Sequence, residues 1–200
     1  MLGGFPEISR TDLKGSANFF AKLRREHPSQ SANDALQRGV DCGAGIGRVT
    51  AGFLSTVCEV VDVVEPVGKF AQEVVGQKMV GGGSVGRVYV TGLEEWVPEA
   101  RYDLIWNQWC LGHLTDKQLV AYLERCKKAV TIDGWVIVKE NMSTNVNGDD
   151  IFDQTDSSVT RTDQKFRKLF KEADMRLIKT EVQRGFPKGL YPVRFYALKP

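Results

Sequence analysis

Four short segments hold the residues best suited to chemistry. The first is Asp41-Cys42-Gly43-Ala44-Gly45-Ile46-Gly47-Arg48, three glycines at alternate positions closing on an arginine. Such spacing lets the backbone turn sharply and approach a ligand closely. At a strand end it is expected to set unpaired N–H groups and a helix N-terminus against a nucleoside-type cofactor. The second segment, Asn107-Gln108-Trp109-Cys110-Leu111-Gly112-His113-Leu114, crowds amide, indole and imidazole groups together. The third is Lys139-Glu140-Asn141-Met142, and the fourth an acidic run of Asp149, Asp150, Asp153 and Asp156 ending in Ser157 and Ser158. Local negative charge on a chain of net charge +2 suits a cationic substrate.

These segments need a frame that brings them to one edge, and the apolar spacing provides it. Residues 1–10 read as an ordered loop. Thr11-Asp12 is expected to cap a helix running to residue 26, with Leu13, Ala17, Phe20 and Leu23 on one face, stopped by His27-Pro28. Residues 29–35 form a polar connector. Strands are expected over residues 36–41, 58–65, 87–91, 102–107, 135–139, 176–183 and 193–199. Helices are expected over 46–55, 69–77, from Thr115 as N-cap, and over 161–173, with 140–160 a polar loop. Alternating strands and helices imply an α/β fold: a seven-stranded, mostly parallel sheet covered on both faces by helices. The last strand, joined to its neighbour by a loop alone, should be antiparallel.

Two hundred residues fit a single domain over residues 1–200 with a proper core. The near-neutral charge gives no electrostatic case for nucleic acid or an anionic membrane. No apolar run approaches the roughly 20 residues of a membrane span, and no secretory signal is expected at the start. Cys42, Cys58, Cys110 and Cys126 form no CxxC pair and suit buried free thiols in a reducing compartment, so cytosol or nucleus is expected. No metal site is expected.

In sheets of this type ligands bind beyond the carboxyl ends of the strands, where the strand order reverses. Glu65 ends the second strand, 22 residues beyond Gly43, close to the roughly 20 expected of an acid that binds a ribose diol. Asp62 is a rival inside the strand. Glycine spacing alone fits NAD as well as S-adenosylmethionine. The pattern lacks the later glycine of the dinucleotide fingerprint, and the leading Asp with a second acid favours S-adenosylmethionine. Arg48 is placed to pair with a methionyl carboxylate. The bland alternatives are a glycine turn without ligand, a surface arginine, Trp109 and His113 as core residues, and a solvated acidic loop.

Taken together, the 41–48 segment, Gln108-Trp109 with Gly112-His113-Leu114, Glu140-Asn141-Met142, Asp156-Ser157-Ser158-Val159 and the opening Met1-Leu2-Gly3-Gly4-Phe5 resemble the protein α-N-terminal methyltransferases, across essentially the whole chain. That family methylates the terminal amine of chains beginning Xaa-Pro-Lys or Xaa-Pro-Arg. The resemblance implies a Rossmann-like class I methyltransferase fold and S-adenosylmethionine as cofactor. It implies cofactor contacts at Gly43, Gly45, Arg48, Glu65, Leu93 and Gln108; the family commonly has Asp at the position of Glu65. It further implies that Trp109 walls the substrate proline, that Asn141, Asp156 and His113 hold and deprotonate the amine, and that Asp153, Asp156 and Ser158 receive the Lys or Arg side chain. Tyr191 matches a further substrate-site tyrosine. Members of the family carry a segment ahead of the Met-Leu-Gly-Gly position whose aromatic residues cover the peptide channel, and this chain opens at that position. Cofactor binding is therefore expected without such a segment, and peptide affinity to depend on it. A monomer acting on protein N-termini is expected.

The implied chemistry is in-line attack of nitrogen on a sulfonium methyl, which requires a free lone pair. An α-amine has a pKa near 8, so roughly a tenth is neutral at pH 7, and a positioned base must take the proton. The competing readings are a small-molecule amine methyltransferase, an inactive cofactor-binding scaffold and a dehydrogenase.

Overall fold

The computed structural model describes residues 6–28 and 35–200. The Met1-Leu2-Gly3-Gly4-Phe5 opening and most of the polar connector lie outside the described residues. Seven strands form one sheet in the order β3-β2-β1-β4-β5-β9-β8: β1 (Leu36–Cys42), β2 (Cys58–Val64), β3 (Ser84–Tyr89), β4 (Tyr102–Gln108), β5 (Val130–Asn141), β8 (Arg176–Val182) and β9 (Val193–Lys199). The pairings among β1 to β5 are parallel, and β9 runs antiparallel between β5 and β8, as expected. The order reverses at β1, which pairs with β2 on one side and β4 on the other. The strand tips beside that reversal are the natural ligand crevice.

Alternation along the central strands divides the core between the two faces of the sheet. Ile105, Val136 and Val138 join α4 (Asp116–Ala129) and α5 (Asp163–Glu172) in one apolar cluster, with Tyr122, Leu123, Phe166 and Phe170. Leu104, Trp106, Trp135 and Ile137 join the other with Phe19, Phe20 and Leu23 of α1 (Ser9–Glu26). Phe19 stacks on Phe195 at 4.5 Å between centroids, and Phe53 meets Trp106 edge-on at 4.9 Å. Thr115 caps α4 in a reciprocal capping box with Gln118, as the sequence pattern predicts.

Four local expectations are corrected. The first helix begins at Ser9, after a 3-10 turn (Pro6–Ile8), and Asp12 is fully buried rather than a cap. The helix after the glycine turn is short, α2 (Arg48–Gly52), giving way to a 3-10 turn (Leu54–Thr56). β5 runs through Asp133-Gly134 instead of starting after it, with a register shift against β4 absorbing the irregularity. The acidic loop contains a hairpin, β6 (Ile151–Asp153) and β7 (Ser158–Thr160), separate from the main sheet. The remaining helix, α3 (Gly68–Val75), follows β2.

Candidate active site

β1 delivers the glycine turn, and its three glycines all take left-handed conformations, with φ of 70°, 58° and 83° at Gly43, Gly45 and Gly47. Gly43 is also a close approach, since a Cβ there would lie 2.4 Å from the Cβ of Cys110. The turn folds back on the end of β2: the Gly43 and Ala44 amides donate to the Val64 carbonyl at 2.8 and 3.2 Å. Gly45 donates to Oε2 of Glu65 at 2.8 Å, while Val67 donates to Oε1 at 2.9 Å. These amides thus have partners within the protein, contrary to the expectation that they stand unpaired, and α2 is too short to act as an anion-binding helix end. What the turn provides is shape and a fixed acid. Glu65 is almost fully buried, and each of its oxygens, having accepted one amide, keeps a lone pair directed elsewhere.

The rival acid, Asp62, is consumed structurally. It is buried, paired with Arg38 at 2.8 Å, and accepts from the Arg87 amide and the Tyr102 hydroxyl. At the front of the turn Asp41 is buried and accepts from Thr50 at 2.6 Å; burial raises its carboxyl to about 6. Leu93 lies in the same apolar cluster as Cys42 and Cys110.

Arg48 and Gln108 converge on a residue that sequence reasoning assigned elsewhere. The Asp12 carboxylate accepts from Arg48 at 2.7 Å and from the Gln108 amide at 2.8 and 3.0 Å, and it pairs with the buried ammonium of Lys139. Burial lowers the Lys139 ammonium to about 8, against the opposing pull of Asp12. The sequence signal was available in the helix phase. Asp12 and Ser16 share the spacing of Phe19, Phe20 and Leu23, so two polar residues lie on the buried face.

Trp109, next along from β4, has φ 54°, a strained conformation for a bulky residue. Its ring lies under the Arg48 guanidinium at 5.6 Å and 6.5 Å from the Phe186 ring. The turn beyond it is clamped by Glu140, whose Oε1 accepts from the Cys110 and Leu111 amides at 2.8 Å each. Arg161, also buried, ties the same turn to β7 by donating to the carbonyls of Leu111 and Leu114 while pairing with Asp116. A Cβ at Gly112 would sit 3.2 Å from the Val159 carbonyl, so this turn and the hairpin are in intimate contact. Lys139, Glu140 and Arg161 are site residues to which the sequence reading gave no role, and Asp12 one to which it gave only a helix cap.

Burial pushes Glu140 from an ordinary 4.5 up to about 7. The folded state therefore holds a proton that the unfolded chain releases, and this group's stabilising share falls as pH rises from 4.5 to about 7. Glu140→Gln keeps the acceptor oxygen and removes the titration. Its stability should gain on the wild type by up to about 1.4 kcal/mol per pH unit across that interval, read by denaturant unfolding at about pH 5 and about pH 7.5. A pH-independent difference would contradict the assignment.

Beyond Trp109 opens a pocket of about 700 Å³. Trp109, His113, Asn141, Asp153, Asp156, Ser158 and Tyr191 all line it, together with Glu140, Phe186 and Leu190. These residues come from the tips of β4 and β5, the hairpin and the loop before β9. The Ser158 hydroxyl and the nearby His113 hold Asp156 below the usual carboxylate range, so it is ionised at neutral pH. The residues expected to meet the cofactor (Gly43, Gly45, Glu65, Arg48, Gln108) lie on the β1, β2 and β4 side, and Arg48 over the Trp109 ring stands between them and the pocket. Among the described residues no group of His, Cys, Asp and Glu is arranged to hold a metal ion, and no helix is long and apolar enough to cross a membrane.

Comparison with known proteins agrees with this geometry. The chain is 44% identical to alpha N-terminal protein methyltransferase 1 of Schizosaccharomyces pombe, covering 100% of this chain and 88% of that protein. It is 38% identical to N-terminal Xaa-Pro-Lys N-methyltransferase 1-B of Xenopus laevis, covering 100% and 87% respectively. Among solved structures, a SAM-dependent methyltransferase of Leishmania major superposes with a TM-score of 0.86 at 35% identity, over 99% of this chain and 75% of that one. The family model described as AdoMet-dependent proline di-methyltransferase matches residues 1–199. A class I fold, a glycine turn with a fixed acid at the strand reversal and full-length identity of this order lead to one conclusion: the chain belongs to the AdoMet-dependent proline di-methyltransferase family and is an S-adenosylmethionine-dependent enzyme.

Proposed function

We propose that this enzyme methylates the α-amine of proteins beginning Xaa-Pro-Lys or Xaa-Pro-Arg. The observation that carries the reading is the single pocket shared by an aromatic wall, an amide, an imidazole and two carboxylates. An N-terminal peptide of this class offers an ammonium, a proline ring and a side-chain cation, and each has a chemically matched counterpart in that set. The names of the relatives support the same acceptor.

The residues present fit the cofactor. Arg48 and Lys139 share the one carboxylate of Asp12, which leaves a positive charge suited to a methionyl carboxylate. Glu65 is held with lone pairs suited to a ribose diol, the glycine turn at Gly43 and Gly45 brings backbone close beside it, and Leu93, in the apolar cluster of Cys42 and Cys110, offers apolar surface to the cofactor. S-adenosylmethionine supplies the electrophilic methyl of its sulfonium. The protein's part is to present the amine neutral and in line. Trp109 fixes the proline; the Asn141 carbonyl oxygen orients the amine; Asp156, with His113 beside it, receives the proton directly or through water. An exposed Asp156 is a weak base, but covering by a bound peptide desolvates it and raises its basicity. Asp153, Ser158 and Tyr191 hold the third residue. We read residues 1–200 as one domain and the enzyme as a monomer of cytosol or nucleus that does not engage nucleic acid or membranes. The four free, buried cysteines suit a reducing compartment.

The test uses labelled S-adenosylmethionine with Ser-Pro-Lys, Ser-Gln-Lys and N-acetylated Ser-Pro-Lys peptides. Label should enter the first alone. Equal labelling of the acetylated peptide would overturn the α-amine assignment.

A further inference from the structure

Asp12 belongs to none of the motif segments, yet it sits where the donor and acceptor halves meet. It is fully buried on the inner face of α1. Its carboxylate gathers Arg48 from the start of α2, Gln108 from the end of β4 and Lys139 from β5. Gln108 is locked in one orientation by this contact. Trp106 is a donor only and lies 3.2 Å from the amide oxygen of Gln108, while Asp12 is an acceptor only and meets the amide nitrogen. Arg48 is held between Asp12 and the face of Trp109. Without Asp12, the buried Lys139 ammonium and the partly buried Arg48 guanidinium would be left without their shared counter-charge, a costly arrangement. With it, the cluster retains an excess positive charge directed at the donor side.

We propose that Asp12 is a positioning residue for the methyl donor: it fixes Arg48 and Gln108 to receive the amino-acid end of S-adenosylmethionine, and so makes the seating of α1 part of cofactor capture. The inference rests on the reading that the cofactor's carboxylate meets Arg48. It does not depend on which acceptor is methylated.

The test compares two ligands by calorimetry without peptide: S-adenosylhomocysteine, which carries the amino-acid end, and adenosine, which lacks it. For Asp12→Asn the dissociation constant of S-adenosylhomocysteine should rise about tenfold or more, with that of adenosine changed less than about twofold. KM for S-adenosylmethionine should follow, with kcat changed far less. Asp12→Glu keeps the charge but displaces it by one methylene. It should show a smaller loss, again confined to S-adenosylhomocysteine, and it serves as the primary variant should Asp12→Asn not fold. Parallel weakening of both ligands would show that Asp12 merely supports the fold. Unchanged affinity, or tighter S-adenosylhomocysteine binding as expected of a carboxylate that competes with the ligand for Arg48, would likewise overturn the proposal. Because the measurement contains no acceptor, an error in the peptide assignment would surface only in the labelling experiment.

Discussion

Asp156→Asn is expected to lower kcat toward a Ser-Pro-Lys peptide by about 100-fold or more, the usual share of a positioned acid–base group, while affinity for S-adenosylhomocysteine stays within about twofold. Asp156 lies at the hairpin turn and lines the pocket proposed for the acceptor. Its Oδ1 accepts from the Ser158 amide at 3.0 Å, a bond that the carbonyl oxygen of asparagine can reproduce. The hairpin should therefore persist, and the loss should report charge and basicity rather than shape. Steady-state methyl transfer and calorimetry on the same preparation separate the two. A kcat within about threefold of wild type would remove Asp156 from the proton path. A parallel loss of cofactor affinity would place it on the donor side instead.

Gly43→Ala should reduce unfolding stability by about 3 kcal/mol, combining a left-handed penalty of about 1–2 kcal/mol with overpacking of similar size. The added methyl would meet the Cys110 Cβ at 2.4 Å. Cys110 cannot retreat easily, because Glu140 holds its amide. Gly148 provides the control: its φ is 77° but nothing lies within 4 Å of a Cβ placed there, so Gly148→Ala should lose only the backbone penalty of about 1–2 kcal/mol. Denaturant unfolding of both variants isolates the collision from the backbone term. Equal losses would mean that the turn and the Cys110 backbone are not in rigid contact. Cofactor affinity should fall in the Gly43 variant alone.

The strand sequence and its parallel arrangement were legible because β-branched runs alternate with amphipathic helices, and a helix-free link before β9 forces that strand to be antiparallel. Motif resemblance singled out the residues proposed for donor and acceptor, and those proposed for the acceptor gather around one pocket. Less visible were features set by tertiary partners. Thr11-Asp12 has the composition of a cap, but Asp12 finds stronger partners in Lys139 and Arg48 than any helix-end amide offers. The β6–β7 hairpin hides in an acidic run of three-residue strands, too short for alternation to register. Asp133-Gly134 reads as a turn, yet β4 pairs across it by shifting register. Glu140 and Arg161 are invisible to spacing rules because their work is to bind backbone groups from distant loops.

The small hairpin has a consequence for how such an enzyme can change over time. Asp153 and Ser158 lie on two short strands outside the main sheet, and Asp156 on the turn between them. Asp153 and Asp156 are exposed, and their carboxylates accept from amides within the same turn. Substitutions at such positions typically alter stability by less than about 0.5 kcal/mol, whereas Glu65, Gln108 and Asp12 are packed into the body of the protein. Mutational tolerance is thus divided unevenly across one reaction centre. On the assignment proposed above, acceptor preference can drift, widen or be reprogrammed on a hairpin outside the main sheet, while the residues proposed for the methyl donor are held by the core that folds around them.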